Sequence, residues 1–272
     1  MVSQSNLSSK EQYNTPENII LNANIYEYDI VKCNVSVLRA YGKITESEYR
    51  NYCEMPKQVR EEAIGNIIRN ENAMYGHSET HKLILAGKTE AKEKLFQMND
   101  ITDDTVVRIA SDAVTINRVV PCYNLVIPIG DGNGTVTFKQ NGPWHAFIRL
   151  LNIMVFFQKL PDGNFDVAVK GINDSKVHFH TEFLSFVGEL ISLMEIDKNT
   201  ALRFFKDYYH HYIHMDLPVG NYREFNAVSA YRIFNSPYGS MFMDESLKEK
   251  VDPNYNLNIL RDLYRMILRL PS

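Results

Sequence analysis

Two extended apolar segments of the chain each contain an aspartate. Residues 25–31 read Ile-Tyr-Glu-Tyr-Asp-Ile-Val, and residues 106–116 read Val-Val-Arg-Ile-Ala-Ser-Asp-Ala-Val-Thr-Ile. Such β-branched and aromatic runs predict strands, in which charged residues are rare. A carboxylate there must be paired, hydrogen-bonded or bound to a metal, because desolvating an isolated charge is costly. Asp29 and Asp112 therefore indicate a cation site shared across a sheet.

The segment between these strands has a helical pattern. After the first strand, apolar residues recur at helical spacing up to a glycine that can end the helix: Val35, Leu38, Tyr41 and Gly42. Further helix-start signals occur at Thr45, Pro56 and Ser78, and the last of these helices reaches Phe96. The pattern predicts a helical insert over about residues 45–98.

From Thr105 onward the chain becomes rich in β-branched, aromatic and turn residues. Hairpin signals at 131–134 (Asp-Gly-Asn-Gly) and 161–164 (Pro-Asp-Gly-Asn) predict an antiparallel meander that ends near Val169. Beyond Lys176 the helical period returns. Strands and helices segregated along the chain in this way predict the α+β class.

The domain organisation follows from the same pattern. Residues 1–20 are rich in Ser, Asn and Gln, which predicts a disordered or loosely packed N-terminus. Residues 21–175 should form the sheet domain with its helical insert, and residues 176–272 a helical region.

Composition narrows the functional classes. A chain of 272 residues with 44% hydrophobic residues is large enough to be an enzyme. The net charge of −4 excludes proteins that hold nucleic acid through an overall positive field, although a local basic groove remains compatible with it. The three cysteines form no C-x-x-C pair, and the chain has neither a signal pattern nor an 18-residue apolar run. We expect a soluble, cytoplasmic protein with no membrane partner.

The two aspartates fit a metal-dependent reaction. Asp29 ends a strand and precedes a helix, whereas Ser111 and Asp112 lie where a tight hairpin should turn. If the two strands are neighbours, both carboxylates project from one end of the sheet and can share Mg²⁺ or Mn²⁺ ions that stabilise a phosphoryl displacement. The alternative is that each aspartate is a turn residue bonded to its own backbone.

Three segments, in order, carry a resemblance to a known family. Residues 28–34 (Tyr-Asp-Ile-Val-Lys-Cys-Asn), 110–114 (Ala-Ser-Asp-Ala-Val) and 169–172 (Val-Lys-Gly-Ile) resemble motifs of template-dependent polymerase palms, most nearly those of family B DNA polymerases, in a divergent bacteriophage-type form. The resemblance implies an antiparallel palm-like sheet and a thumb-like C-terminal helical region. It also implies that Asp29 and Asp112 bind the catalytic metals.

The sequence departs from the family at two positions. Ser111 stands where the family usually has an aspartate, and Asn34 stands where it usually has the aromatic residue that excludes the ribose 2′-hydroxyl. The resemblance places Asn34 beneath the incoming sugar. The alternative is that Asn34 caps the helix after Asp29.

The resemblance also suggests substrate contacts in the helical insert. Residues 72–76 (Asn-Ala-Met-Tyr-Gly) resemble the fingers motif of the family, which points to Tyr75, with Arg69 one place from the family's lysine. Alternatively the preceding helix supplies the triphosphate contacts, so Lys57, Arg60 and Arg69 are candidates, because a triphosphate requires cations. They are equally compatible with ordinary solvated helix charges.

Two later residues are candidates for binding nucleic acid. Lys170 precedes Gly171, and the resemblance implies that it faces the primer and template. Arg223 could contact the nucleic-acid backbone as a thumb element does. The alternative for Lys170 is a solvated lysine at the end of a strand. The alternative for Arg223 is a packed turn.

Several histidines permit a metal site: His178, His180, His210, His211 and His214. His210 and His214 have the i, i+4 spacing that can bind zinc on a helix. The sequence lacks the glutamate of an H-E-x-x-H motif, and tyrosines neighbour these histidines. Both features favour a half-buried helix face over a zinc site. For Trp144, packing is the simpler interpretation and base stacking the alternative.

Together with the two aspartates, the resemblance implies a template-dependent nucleotidyltransferase, either a minimal or split DNA or RNA polymerase or a primase, which uses a two-metal mechanism. Its partners would be nucleic acid, nucleoside triphosphates and other polymerase subunits. The alternative is a non-catalytic palm-like subunit that binds or assembles within a phage replication or transcription complex, which the mild acidity and short length favour.

Overall fold

The chain forms two compact units, Met1–Pro16 with Asn24–Pro143 and Glu17–Ala23 with Trp144–Ser272. The structure is a computed structural model and describes residues 12–13, 19–132, 134–150, 153–171, 177, 180–223 and 253–271. Both units combine antiparallel strand pairs with helices, so the predicted α+β class is confirmed. In the described residues, no helix is both long enough and apolar enough to cross a bilayer.

Unit 1 contains a six-stranded sheet in the order β1-β4-β5-β3-β7-β6. Its strands are β1 (Gln12–Tyr13), β3 (Ile25–Ile30), β4 (Val106–Ile109), β5 (Ala113–Asn117), β6 (Val126–Ile129) and β7 (Gly134–Trp144). Strand β5 is antiparallel to both β3 and β4 and lies between them. β3 and β4 are therefore parallel to each other, which makes a split βαβ arrangement.

Four helices connect β3 to β4: α1 (Cys33–Ala40), α2 (Glu46–Glu54), α3 (Lys57–Tyr75) and α4 (Glu79–Met98). Local signals set their ends. Thr45 and Glu48 form a reciprocal capping box at α2, and Ser78 accepts a hydrogen bond from the His81 amide at the start of α4. The helical insert expected from these signals is observed.

One face of the unit 1 sheet packs against helices. Every second residue of β3, namely Tyr26, Tyr28 and Ile30, packs into one core. This core also contains Val37 of α1 and Leu95 of α4. Because successive side chains of a strand point to opposite faces, Glu27 and Asp29 lie on the other face. The alternation therefore places Asp29 on the face opposite Tyr28 and Ile30.

Unit 2 contains a four-stranded antiparallel sheet in the order β10-β9-β8-β2. Its elements are β2 (Ile19–Ile20), β8 (Ala146–Leu150), β9 (Ile153–Lys159), β10 (Phe165–Lys170), α5 (Thr181–Ile196), α6 (Lys198–Ile213) and α7 (Pro253–Arg269). The sheet shares a core with these helices, represented by Phe157, Phe183, Leu190 and Leu260. Trp144 packs on Phe156 with ring centroids 6.0 Å apart, which agrees with the packing interpretation.

The units differ from the predicted domains. The predicted meander was expected to belong to one sheet domain, but its strands are divided between two sheets. Strands β8 to β10 pack with the C-terminal helices, so the boundary between the units falls at 143/144 and not at 175/176. Strand alternation identifies an apolar face but does not identify the helix that covers it. Most of the segment 1–20 lies outside the described residues, although 12–13 and 19–20 are strands.

Candidate carboxylate site

The β4–β5 hairpin places the two predicted aspartates next to each other. The Ala110 amide donates to the Ala113 carbonyl at 2.8 Å, so Ser111 and Asp112 form the hairpin tip. Asp29 pairs with Ala113 across β3 and β5, and the Ile30 amide donates to the Asp112 carbonyl at 3.0 Å. The predicted hairpin is confirmed, and the backbones of the two residues lie next to each other at one end of the sheet.

The two carboxylates have different surroundings. Asp29 is half-buried, and its Oδ2 accepts a hydrogen bond from Asn141 Nδ2 of β7 at 3.1 Å. Asp112 is exposed, because a hairpin tip projects beyond the sheet that would bury it. One carboxylate is thus held by a neighbouring strand, while the other is open to solvent and to a ligand.

Two lysines of α4 approach the hairpin tip. Lys88 Nζ lies 3.3 Å from Ser111 Oγ. Lys92 Nζ donates to the Ala110 carbonyl at 2.9 Å and to the Ser111 carbonyl at 3.3 Å. Lys92 is completely buried, and this burial lowers its pKa to about 8. Sequence reasoning missed both lysines, although their i, i+4 spacing on a helix with buried Ile84 and Leu95 was a usable signal.

A buried thiol lies in the same electrostatic environment. Cys33 is the first residue of α1, and burial raises its pKa to about 12. Of the nearby charges, Lys88 lowers the pKa of this thiol and Asp112 raises it, both by smaller amounts. A thiol with a raised pKa is protonated near neutral pH, so Cys33 is unsuited to act as a nucleophile or metal ligand.

The face of the sheet that carries Asp29 also carries an ion pair. Glu27 and Arg108 lie on the two sides of Thr115, and Arg108 Nη1 is 3.7 Å from Glu27 Oε1. Glu27 is only 3% exposed. The arginine therefore neutralises a carboxylate two residues before Asp29, on the same face of β3.

The donor atoms at the tip suit a hard cation. Among the described residues, no group of three or more His, Cys, Asp or Glu side chains is placed to hold a metal. Mg²⁺ does not need such a group, because it usually binds one or two carboxylates together with water and substrate phosphates. Asp29 and Asp112 are carboxylates of the kind that such a site uses.

The predicted triphosphate contacts are not brought together by the fold. Lys57 begins α3 and Tyr75 ends it, which separates their backbones by about 27 Å along the helix. Arg69 lies nine residues after Arg60 and so on the opposite side of the helix. Arg60 is 7% exposed, and its guanidinium lies 3.6 Å from Glu61. Lys57, Arg69 and Tyr75 are exposed, so α3 does not present the four side chains as one site.

Asn34 has a partner that the sequence did not suggest. Its Nδ2 donates to Glu61 Oε2 of α3 at 2.6 Å, while its Oδ1 is buried without a hydrogen-bond partner among the described residues. The N-cap of α1 is Lys32, and no side chain caps that helix. The alternative that Asn34 only caps a helix is therefore wrong.

The two predicted nucleic-acid contacts both belong to unit 2. Lys170 is the last residue of β10 and pairs with Met154 of β9. The carbonyl of Arg223 accepts a hydrogen bond from Asn256 of α7 at 3.4 Å. The backbone at Arg223 is thus tied to the last helix.

The histidines form no metal centre within the described residues. His178 lies outside them, and His180 is buried at the start of α5. His210 and His214 are exposed, with ring centroids 4.4 Å apart. Asp216 accepts a hydrogen bond from His211 and raises the pKa of that histidine.

Comparisons with known proteins place the chain in a phage family. A family model described as Bacteriophage PBS1 gene 130 protein matches residues 1–269, nearly the whole chain. Comparison with curated proteins gives no match. The family match supports the predicted bacteriophage origin, and its description names no activity.

Proposed function

The chain belongs to the bacteriophage PBS1 gene 130 protein family, and we propose that it is a template-dependent nucleotidyltransferase whose catalytic end is formed by Asp29 and Asp112. The observation that carries this proposal is the Ile30 amide bond to the Asp112 carbonyl, which sets the two aspartates on adjacent strand ends. The proposed substrates are nucleoside triphosphates and a nucleic acid. Host cytoplasm is the proposed site of action.

The chain's own residues would position the reacting oxygens. Mg²⁺ or Mn²⁺ bound at this end would stabilise the attacking and leaving oxygens of a phosphoryl displacement. Asn141 holds one oxygen of Asp29 in place, and the exposed Asp112 carboxylate is accessible to a metal ion from the solvent side. Asn34 of α1 and the exposed Lys57 of α3 would contact substrate.

Primer extension tests the catalytic proposal. With primed template, nucleoside triphosphates and Mn²⁺, the wild type should extend the primer, and Asp29→Ala should lower the rate at least about 100-fold, because it removes charge stabilisation in the transition state. Asp104→Ala is the matched control, since Asp104 is an exposed aspartate in the turn before β4. Equal activity in wild type and Asp29→Ala would identify a contaminating enzyme.

A second candidate function is a non-catalytic subunit that binds nucleic acid or assembles with polymerase subunits. Two observations favour it: Arg60 is buried beside Glu61, and the fold does not gather the predicted triphosphate cations. Lys88 and Lys92 also bring positive charge to the tip that a metal would approach. Template binding by fluorescence anisotropy without primer extension or Mn²⁺ binding would select this function.

A further inference from the structure

Lys92 is a lysine in an unusual environment. Its side chain is 0% exposed, whereas lysines are almost never fully buried unless they are paired. Its neighbours along α4, Ala91 and Leu95, belong to the apolar core of unit 1. A side chain that served only to fill this space would not need an ammonium group, which loses its hydration on burial.

The contacts of Lys92 are concentrated on the hairpin tip. Its Nζ donates to the carbonyls of Ala110 and Ser111, at 2.9 and 3.3 Å. These are the two residues immediately before Asp112. An ammonium has three donors and no acceptor, so it can hold two adjacent carbonyls at once.

Backbone hydrogen bonds also hold the tip. The Ala110 amide bonds the Ala113 carbonyl, and the Ile30 amide bonds the Asp112 carbonyl. Lys92 adds the only described side-chain amine that reaches the backbone carbonyls of the tip. The position of the Asp112 backbone thus depends both on β3 and on α4.

We propose that Lys92 is a positioning residue that fixes the hairpin tip, and with it the Asp112 carboxylate, relative to Asp29. Its effect on metal binding rests on the proposed function of the two aspartates. Its effect on the tip itself does not. Partners that orient metal ligands from outside the ligand set typically change metal affinity by roughly 10–100-fold when they are removed.

Two substitutions separate hydrogen bonding from charge. Lys92→Met removes both the charge and the donors, whereas Lys92→Gln removes the charge and keeps an amide donor. Lys94→Met is the matched control, because Lys94 lies on the same helix but pairs with Glu90 at 2.7 Å. All variants are made in the full chain.

Amide hydrogen exchange, followed by NMR, measures the order of the tip without any metal. In Lys92→Met, protection of the Ile30 and Ala110 amides should fall about tenfold. The Arg118 amide, which bonds the Asn24 carbonyl at the far end of β3 and β5, should be unchanged. A loss of protection shared by all three amides, or no loss, would overturn the proposal in favour of a general structural role or none.

Mn²⁺ titration by electron paramagnetic resonance measures the consequence for the site. Lys92→Met should weaken Mn²⁺ binding about tenfold or more, Lys92→Gln should weaken it less, and Lys94→Met should bind as the wild type does. If both neutral Lys92 variants bind Mn²⁺ as tightly as or more tightly than the wild type, Lys92 does not position the ligand. A wild type that fails to bind Mn²⁺ counts against the proposed function, and the exchange measurement still decides the role of Lys92.

Discussion

The same residue type has different chemistry at different positions of this chain. Lys94 of α4 is partly exposed and pairs with a glutamate, while Lys92 of the same helix is buried against carbonyls. On α3, Lys57 is exposed and Arg60 is buried. Solvation and partners, which differ at each position, decide whether a cation is available for a ligand or is used inside the fold.

The pKa of Lys92 predicts a pH dependence of stability. The groups that contribute to its electrostatic environment are Cys33 of α1, Lys88 of α4 and Asp112 of the hairpin. Burial lowers the folded-state pKa from 10.5 to about 8, so above pH 8 the unfolded chain binds more protons at this residue than the folded chain. The destabilisation that its charge causes is complete below pH 8 and is relieved as the pH approaches 10.5.

Lys92→Met removes this titration. From pH 8 to pH 10 the wild type should therefore gain about 1–2 kcal/mol of unfolding free energy relative to Lys92→Met. Urea unfolding of both proteins at each pH measures this change. Comparing variant with wild type cancels the contributions of other groups. A pH-independent difference would show that the Lys92 pKa is not lowered in the folded protein.

The exposure of Asp112 predicts a clean separation of binding from stability. Asp112→Asn should change the unfolding free energy by no more than about 0.5 kcal/mol, because exposed positions tolerate substitution and asparagine suits turns. It should abolish Mn²⁺ binding, since it removes one charged ligand. A destabilisation above about 2 kcal/mol, measured by chemical unfolding, would instead make Asp112 a structural residue.

At the scale of elements, α4 is the helix that contacts both α1 and the carboxylate site. It contacts α1 closely at Gly87 and the hairpin tip at Lys92. A side-chain carbon at Gly87 would collide with Val37 and approach Tyr41 to 3.0 Å. The spacing between α1 and α4 therefore requires the absence of a side chain at this position.

Two glycine substitutions test this spacing. Gly87→Ala should destabilise the protein by about 1–3 kcal/mol, because the added methyl overpacks the interface. Gly65→Ala on α3 is the matched control, since a carbon there meets nothing within 4 Å, and it should stabilise the protein by about 0.5–1 kcal/mol through helix propensity. Thermal or urea unfolding measures both, and equal effects of the two substitutions would refute the close approach.

At the scale of the whole molecule, the two units have separate hydrophobic cores. Leu95 belongs to the core of unit 1, whereas Leu190 belongs to the core of unit 2. The single tryptophan, Trp144, packs on Phe156 in unit 2. Its fluorescence therefore reports the folding of unit 2, while circular dichroism reports both units.

This arrangement predicts which probe responds to each core substitution. Leu190→Ala should lower the fluorescence transition, with a loss of about 2–5 kcal/mol in unfolding free energy, because it leaves a cavity in the core of unit 2, the unit that contains Trp144. Leu95→Ala should lower the circular dichroism transition and leave the fluorescence transition nearly unchanged. Identical shifts of both probes in both variants would show that the two units unfold as one.

Local features of the chain could be read from the sequence because they depend on neighbouring residues. The capping box at Thr45, the helix start at Ser78 and the turn at Ser111 and Asp112 each involve only a few consecutive positions. The apolar runs around Asp29 and Asp112 predicted their strands for the same reason. The proximity of the two aspartates followed once those strands were taken as neighbours.

Burial and long-range pairing could not be read in this way. The division of the strands between two sheets and the hydrogen bond from Asn34 to Glu61 both depend on contacts between residues that are distant along the chain. The burial of Arg60 and Lys92 depends on which other elements cover these side chains. A hydrophobic pattern states which face of an element is apolar, but the solvation of a charge is set by its neighbours in three dimensions. For that reason the two aspartates were found from the pattern, and the lysine that holds their hairpin was found only in the tertiary structure.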